Sequence, residues 1–455
     1  MRRLEARPVR LACGAGWSRD RYEPALELVR NGHIDYLCFD AMSEVTMSAA
    51  QVARLEGQVG PLYDPSLLER MEPLLAECKQ RGIKIITNAG WLDPRGAADM
   101  VRGIAARQNI EGLRVASVEG GILTDTVADM GLHFVETAEP VELHRDRIVS
   151  AETYLGAEGI VEALRRGADV VITTRVADGC IFLAPLVHAL GWSLDDPQLA
   201  AKGMVVGHLL ECGSQISGGY FADPGYKDVP NLIDVGNPIA EVSNERILIT
   251  KVQGSGGLVT EATCKEQLLY EVQDPSRYMC PDVVVDLTRV SFREVAKDCV
   301  EVHVDGAGLP RTATLKVLVG LTEGFMTEEM VLFAGPGALE KARMTESLLR
   351  ERLVRAQLCC DDMRIDYIGL NSIHREASPE VSDAPYEVVL RIALKAQQKG
   401  EVEKLRREVD PLAVNGVAGT GKWTTASPGS RVRTVVGLSS VLVPRELISW
   451  RVDFS

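Results

Sequence analysis

Five apolar, β-rich runs, Val9 to Cys13, Asp35 to Phe39, Ile83 to Thr87, Leu113 to Val118 and Asp169 to Thr173, alternate with amphipathic stretches such as Tyr22 to Arg30 and Leu67 to Arg81. Runs apolar at nearly every position are what strands buried on both faces look like, and the amphipathic stretches between them supply helices to cover those faces. Residues 1–285 therefore read as an α/β domain with a doubly wound, mostly parallel sheet. An eight-stranded barrel produces the same repeat and is the competing layout. From Pro281 the pattern changes. Val283 to Leu287, Cys299 to Val304 and Thr312 to Leu321 read as strands joined by short turns such as Asp305-Gly306. Helices are expected over Ala338 to Gln357 and Pro385 to Gln397, then a loop over Gly416 to Arg433 and a final strand over Thr434 to Val443. Residues 286–455 thus read as an α+β domain.

The balance of 50 basic against 64 acidic residues, a formal net charge of −14, points away from nucleic acid and anionic membranes as partners. The longest apolar candidate, Ile181 to Trp192, is interrupted by Pro185 and His188 and falls short of a spanning helix. The N-terminal Met1 to Pro8 is basic but leads straight into a strand-like run rather than an apolar signal region, so the expected compartment is the cytoplasm. Ten cysteines without a CxxC pair, several inside apolar runs (Cys13, Cys38, Cys180), read as reduced core residues, and so does the Cys359-Cys360 pair.

Many residues able to act on a ligand fall just after predicted strands: Gly14 and Gly16, Asp40, Asn88 and Gly90, Glu119, and Arg175 with Asp178. In open α/β sheets and barrels alike, ligands sit at the carboxyl ends of the strands, so these loops are expected on one rim. A second candidate is Gly254-Ser255-Gly256-Gly257, which follows the run Ile247 to Val252 and precedes a helical pattern. A strand feeding a glycine loop at a helix start is an anion cradle in principle, because the first helical N–H groups lack partners. Lys251, inside the preceding strand, would add a cation.

Asp40 and Glu44 are four residues apart, and on a helix both would face one side. Two close acids raise one pKa toward neutrality, which suits general acid–base work. Met204 to Gln215 reads as an apolar helix carrying His208 and Glu211 at i, i+3, a spacing for a buried hydrogen-bonded pair or a catalytic base; it lacks the spacing of zinc helices, and no metal is assigned. Gln215 opens the glycine-rich stretch that follows. Gly14-Ala15-Gly16 imitates a dinucleotide fingerprint, but Arg19 stands at the third glycine position. Gly416 to Lys422 fits a P-loop until Trp423, where a Ser or Thr is required.

Taken together, Asp35-Tyr36-Leu37 with Asp40 and Glu44-Val45-Thr46-Met47, Thr87-Asn88-Ala89-Gly90, Gly207-His208-Leu209-Leu210-Glu211-Cys212 with Gln215 and Gly218-Gly219, and Gly254 to Gly257 with Glu266 to Glu271 resemble the acyclic terpene utilisation (AtuA) family over most of the chain. The resemblance implies a place in degrading acyclic terpenes through acyl-CoA intermediates, and a small ferredoxin-like-fold companion, fused or separate. It implies no settled catalytic residues and no cofactor. A glycine is usual where this chain has Trp91. The leading expectation is a hydro-lyase or isomerase acting on a branched carboxylic acid or acyl-CoA, with Asp40, Glu44, Glu211 or His208 moving the proton. In that reading Lys251 and the glycine loop hold the anionic end and Arg175 a second one. A non-catalytic subunit bound to the small partner is the alternative and an NAD(P)-dependent oxidoreductase the third; association with further copies of the chain stays open.

Overall fold

The computed structural model describes residues 7–57, 60–379, 384–423 and 432–454, which form two compact units. The first unit comprises residues 1–145, 150–319 and 438–455, the second 146–149 and 320–437. The boundary expected at 285 lies inside the first unit, because the strands that follow it extend the first unit's own sheet.

That sheet has ten strands: β1 (Val9–Ala15), β2 (Tyr36–Phe39), β3 (Lys84–Thr87), β4 (Val115–Gly120), β5 (Val170–Thr173), β6 (Pro238–Val242), β7 (Ile247–Lys251), β8 (Val290–Ala296), β9 (Cys299–Val304) and β10 (Trp450–Asp453). Their order is β8-β9-β7-β6-β1-β2-β3-β5-β4-β10, an open path with two ends rather than a barrel. The five strands expected from the sequence form its parallel centre, β1 through β2, β3 and β5 to β4. The flanking strands are antiparallel, so the sheet is mixed rather than mostly parallel. Two-residue alternation sends Leu11, Cys13 and Cys38 to one face and Ala12, Leu37 and Phe39 to the other. Helices α1 (Glu23–Asn31), α3 (Leu67–Arg81) and α4 (Pro94–Arg107) cover the second of these faces. Helices α5 (Glu158–Arg165), α6 (Cys180–Leu190), α7 (Pro197–Leu210) and α8 (Glu261–Leu269) cover the first. Helix α2 (Glu44–Leu55) begins at the end of the β2 loop.

The apolar helix expected over Met204 to Gln215 starts earlier and ends sooner. The Asp196 side chain accepts from the N–H groups of Gln198 and Leu199, Pro197 sits at the first turn, and the helix stops at Leu210 before a 3₁₀ turn, Gly213–Ser217. Helix α7 packs closely on the start of α6: a Cβ at Gly207 would lie 2.4 Å from the Gly179 carbonyl oxygen. This close approach holds the next residue, His208, at a fixed depth.

The second unit is a sheet covered by helices, the two longer ones flanked by a short turn of helix at Leu412–Asn415. Its strands run in the order Asp362–Ile368, Glu387–Ala396, the segment Phe325 to Ala334 of the long strand Thr314–Ala334, and Gly421–Trp423, every pair antiparallel. Helices α9 (Ala338–Arg355) and α10 (Lys399–Val409) pack on it around Leu349, Leu353, Leu390, Ile392, Val402 and Leu405. Chain order strand, helix, strand, strand, helix, strand with this strand order is the ferredoxin-like split βαβ arrangement. The fold implied for a small companion is therefore carried inside this chain. The helix expected over Pro385 to Gln397 is a strand, because Val388, Leu390, Ile392, Leu394 and Ala396 are buried at every second position. Cys359 is exposed rather than part of the core. Of the loop expected over Gly416 to Arg433, residues 424–431 lie outside the described residues.

Two glycines separate close packing from simple helix propensity. Gly207→Ala should lower stability by roughly 1–3 kcal/mol through forced backbone displacement. Gly103→Ala, inside α4 with only the Arg107 side chain within 4 Å, should raise it by about 0.5–1 kcal/mol. Urea denaturation of both variants measures the two signs.

Candidate functional site

The chain leaves β2 at Phe39, and three side chains from neighbouring strand ends fix the next five residues. Asn88, just after β3, donates to Asp40 Oδ1 at 2.7 Å and accepts from the Ala41 N–H at 2.7 Å. Trp91 donates its indole N–H to the Ala41 carbonyl at 3.0 Å. Arg175, just after β5, donates to the Met42 carbonyl at 2.6 Å and to Asp178 Oδ1 at 2.6 Å. Ser43 then caps α2 in a reciprocal pair with Thr46. Asp40 therefore precedes the helix instead of sharing its face with Glu44, which stands at the first helical position. Trp91 occupies the left-handed backbone region at φ 43°, the conformation for which glycine is the unstrained residue.

Arg175 is 2% exposed. Its guanidinium carbon lies 4.1 Å from the centre of the Tyr154 ring, its second terminal nitrogen is 3.7 Å from Glu44, and Tyr154 donates its hydroxyl to Glu44. Burial opposes the charge on Arg175, but Asp178, Tyr154 and Glu44 outweigh it and hold the guanidinium protonated. Burial likewise pushes Glu44 up, yet Arg175 and the Tyr154 hydroxyl bring it below the usual carboxylate range. Asp178 and Asp40 are the opposite case. Burial raises both, Glu44 adds repulsion at Asp178 and Asp178 adds it at Asp40, and Arg175 offsets only part of this.

The second half of the site comes from the end of α7. His208 Nδ1 is 2.8 Å from Glu211 Oε1, and His208 Nε2 is 3.0 Å from the Leu268 carbonyl. A carbonyl only accepts, so Nε2 carries a proton and Nδ1 shares the remaining one with Glu211. Burial raises Glu211 above the carboxylate range despite His208, with Asp178 and Glu271 adding repulsion. Burial pulls His208 down, but Glu211 outweighs it and leaves the imidazole raised. Glu211 is 8% exposed, and its Oε2 has no hydrogen-bond partner among the described residues. The loop after β1 makes room for this segment: a Cβ on Gly16 would sit 2.3 Å from the Cys212 backbone carbon.

Both halves line one cavity of about 360 Å³, within the range of small-molecule sites. Of the residues expected from the sequence, Gly16, Asp40, Glu44, Asp178, Glu211 and Gln215 line it. Asn88, Arg175 and His208 stand one contact behind. Gly14 packs on the Phe39 ring and Gly90 on the Thr173 carbonyl. Glu119 pairs with Arg95 and Arg451 at the β4–β10 edge. The glycine loop is not in the lining, and its donors are already engaged. The N–H groups of Ser255, Gly256 and Gly257 donate to the carbonyls of Val252, Asp234 and Pro230, and Lys251 Nζ donates to the Ser255 carbonyl at 2.7 Å. Helix α8 starts only at Glu261, after a Thr260 cap. The anion cradle expected there is thus replaced by a self-satisfied turn.

Sequence reasoning missed Asp20, Trp17, Tyr220, Tyr270 and Glu271 of the lining. Their positions flanking the motifs around Gly16, Gly219 and Gln267 were the available signal. No group of three His, Cys, Asp or Glu side chains converges as a metal site among the described residues. The two glycines that imitate a dinucleotide fingerprint are explained by contacts with Phe39 and Cys212.

The fold and site define an α/β protein with a carboxyl-lined cavity at the carboxyl ends of the parallel strands of a mixed sheet. The family model of the acyclic terpene utilisation family protein AtuA matches residues 9–454, and the chain belongs to that family. No curated protein matches. Among solved structures, a homoserine dehydrogenase from Thiobacillus denitrificans aligns at 11% identity over 89% of this chain and 82% of the other, with a TM-score of 0.16.

The proton arrangement is open to direct test. In Glu211→Gln the acidic partner that raises His208 is gone while burial remains, so the His208 titration followed by NMR should move down. An unchanged titration would show that Glu211 does not control it.

Proposed function

We propose that this chain serves acyclic terpene utilisation as an acid–base enzyme, moving a proton to or from carbon in a branched, unsaturated acyclic substrate, as a hydro-lyase or isomerase does. One observation carries the reading: Asp40, Asp178 and Glu211, all with proton affinity raised by burial, line a single cavity. A carboxyl that keeps its proton near neutrality can deliver it, and a neighbouring carboxylate can take one up.

In the hydration direction, protonated Glu211 gives its proton to one carbon of a C=C bond and becomes a carboxylate. The π electrons form the new C–H bond. Water then bonds to the other carbon through an oxygen lone pair and releases its proton to Glu44, the carboxylate that Arg175 and the Tyr154 hydroxyl hold ionised. If Glu44 instead takes a proton from an adjacent C–H, the double bond migrates and the result is isomerisation. His208 replenishes the Glu211 proton through the shared hydrogen bond, and Arg175 holds Asp178 and the Asp40–Glu44 segment in place.

Incubation in D₂O with branched acyclic alcohols, the matching acids and their CoA thioesters, read by mass spectrometry, tests this directly. Deuterium should appear at carbon with at least one class. Glu211→Gln should lower the rate by roughly 10²–10⁴-fold while ligand binding persists. Bound substrate without any deuterium incorporation, or full incorporation by both Glu211→Gln and Glu44→Gln, would contradict the proposal.

A further inference from the structure

Among the described residues, six carboxyl groups and no lysine or arginine line the cavity. Arg175 lies behind them, buried, with its charge met by Asp178 and Glu44. Asp20, Glu44 and Glu271 add three further carboxyls to the wall formed by Asp40, Asp178 and Glu211. A carboxylate or phosphate entering this space meets carboxyl oxygens on every side, with no lysine or arginine of the described lining to pair with.

The mouth is aromatic. Tyr220 and Tyr270 meet edge to face with ring centroids 6.3 Å apart, and Trp17 completes the rim. Tyr220 is 87% exposed and stands in the left-handed region at φ 60°, directly after Gly219. A large apolar ring held in that conformation and turned to solvent next to a cavity has no core to fill; it offers a face to a ligand. Aromatic faces over a carboxyl-lined pocket attract positive charge on a desolvated organic group. Glu211 lines the same cavity, and its buried Oε2 has no hydrogen-bond partner among the described residues.

We propose that this cavity is a site for positive charge on an apolar acyclic ligand: an ammonium group, or a carbon that becomes cationic when protonated, seated among the carboxyls with its chain on Tyr220, Tyr270 and Trp17. This rests on the acid–base reading above and specifies its substrate. The reacting end enters uncharged and develops positive charge, and any anionic group stays outside the cavity. Protonation of a branched C=C bond leaves the positive charge on the more substituted carbon until water or loss of a neighbouring proton discharges it. The six carboxyls stabilise that state more than the neutral ground state, which is the direction catalysis requires.

The test is calorimetric titration of the purified full chain with three matched probes sharing one branched ten-carbon chain: the dimethylammonium, the alcohol and the carboxylate. The ammonium should bind about tenfold or more tighter than the alcohol, and the carboxylate weakest. The ammonium preference should shrink in Glu211→Gln and in Glu271→Gln, the second of which changes an exposed residue and leaves the core untouched. A carboxylate or alcohol bound as tightly as the ammonium, or a preference intact in both variants, would overturn the cation site. Because binding is read without turnover, the two proposals separate. Deuterium incorporation without ammonium preference keeps the acid–base reading and removes this one. Ammonium preference without incorporation keeps the cation site and removes the acid–base reading.

Discussion

A guanidinium enclosed by protein must be surrounded by acceptors, because removing an ion from water costs several kcal/mol that only close partners offset. Arg175 meets that requirement with the Met42 carbonyl, Asp178, Glu44 and the face of Tyr154. Those partners come from three separate parts of the first unit, the segment Met42 to Glu44, Tyr154 and Asp178, and satisfying one charge therefore fixes all of them. The segment between β2 and α2 has no regular structure of its own to hold it. Asn88, Trp91 and Arg175 do so instead, and the carboxyls of Asp40 and Glu44 take their positions from that anchoring.

The same economy of charge explains why the acids differ. Glu44, nearest to Arg175 and to the Tyr154 hydroxyl, is held ionised. Asp40, Asp178 and Glu211 are more deeply buried and repel one another, so a single guanidinium cannot ionise the set. The result is carboxyls of lowered and of raised proton affinity side by side around one cavity, the condition under which one group gives a proton and another accepts it. The His208–Glu211 pair extends this set, with the imidazole anchored by the Leu268 carbonyl so that only one of its nitrogens is free to exchange.

The centre of the fold was legible because its signal is local. Each of the five parallel strands is a short apolar run, and each of the first four helices in the face-covering layers has its own stripe or cap. Asp40, Asn88, Arg175 and Asp178 were legible as a set for the same reason: each directly follows such a run. What the sequence concealed depends on pairing. The antiparallel strands β6 to β9 look like any half-buried strand until their neighbours are known, which is why the domain boundary was placed too early. The strand Glu387–Ala396 carries Leu, Ala and Lys residues that also suit a helix, and only its two-residue burial decides the matter. The Gly254 to Gly257 turn has the composition of an anion cradle. Its N–H groups are consumed by Val252, Asp234 and Pro230, contacts that no spacing rule could supply. The aromatic rim, too, is assembled from Trp17, Tyr220 and Tyr270, which are far apart in sequence.

The central claim is that burial and mutual repulsion raise the proton affinity of Asp40, Asp178 and Glu211 around a buried Arg175. Infrared difference spectroscopy of the carboxylic acid C=O stretch at pH 7, comparing the unsubstituted protein with Asp40→Asn, Asp178→Asn and Glu211→Gln, reads this directly. The expected result is a protonated-carboxyl band that loses intensity in the variants. A spectrum with no such band, or one identical in all four proteins, would contradict it.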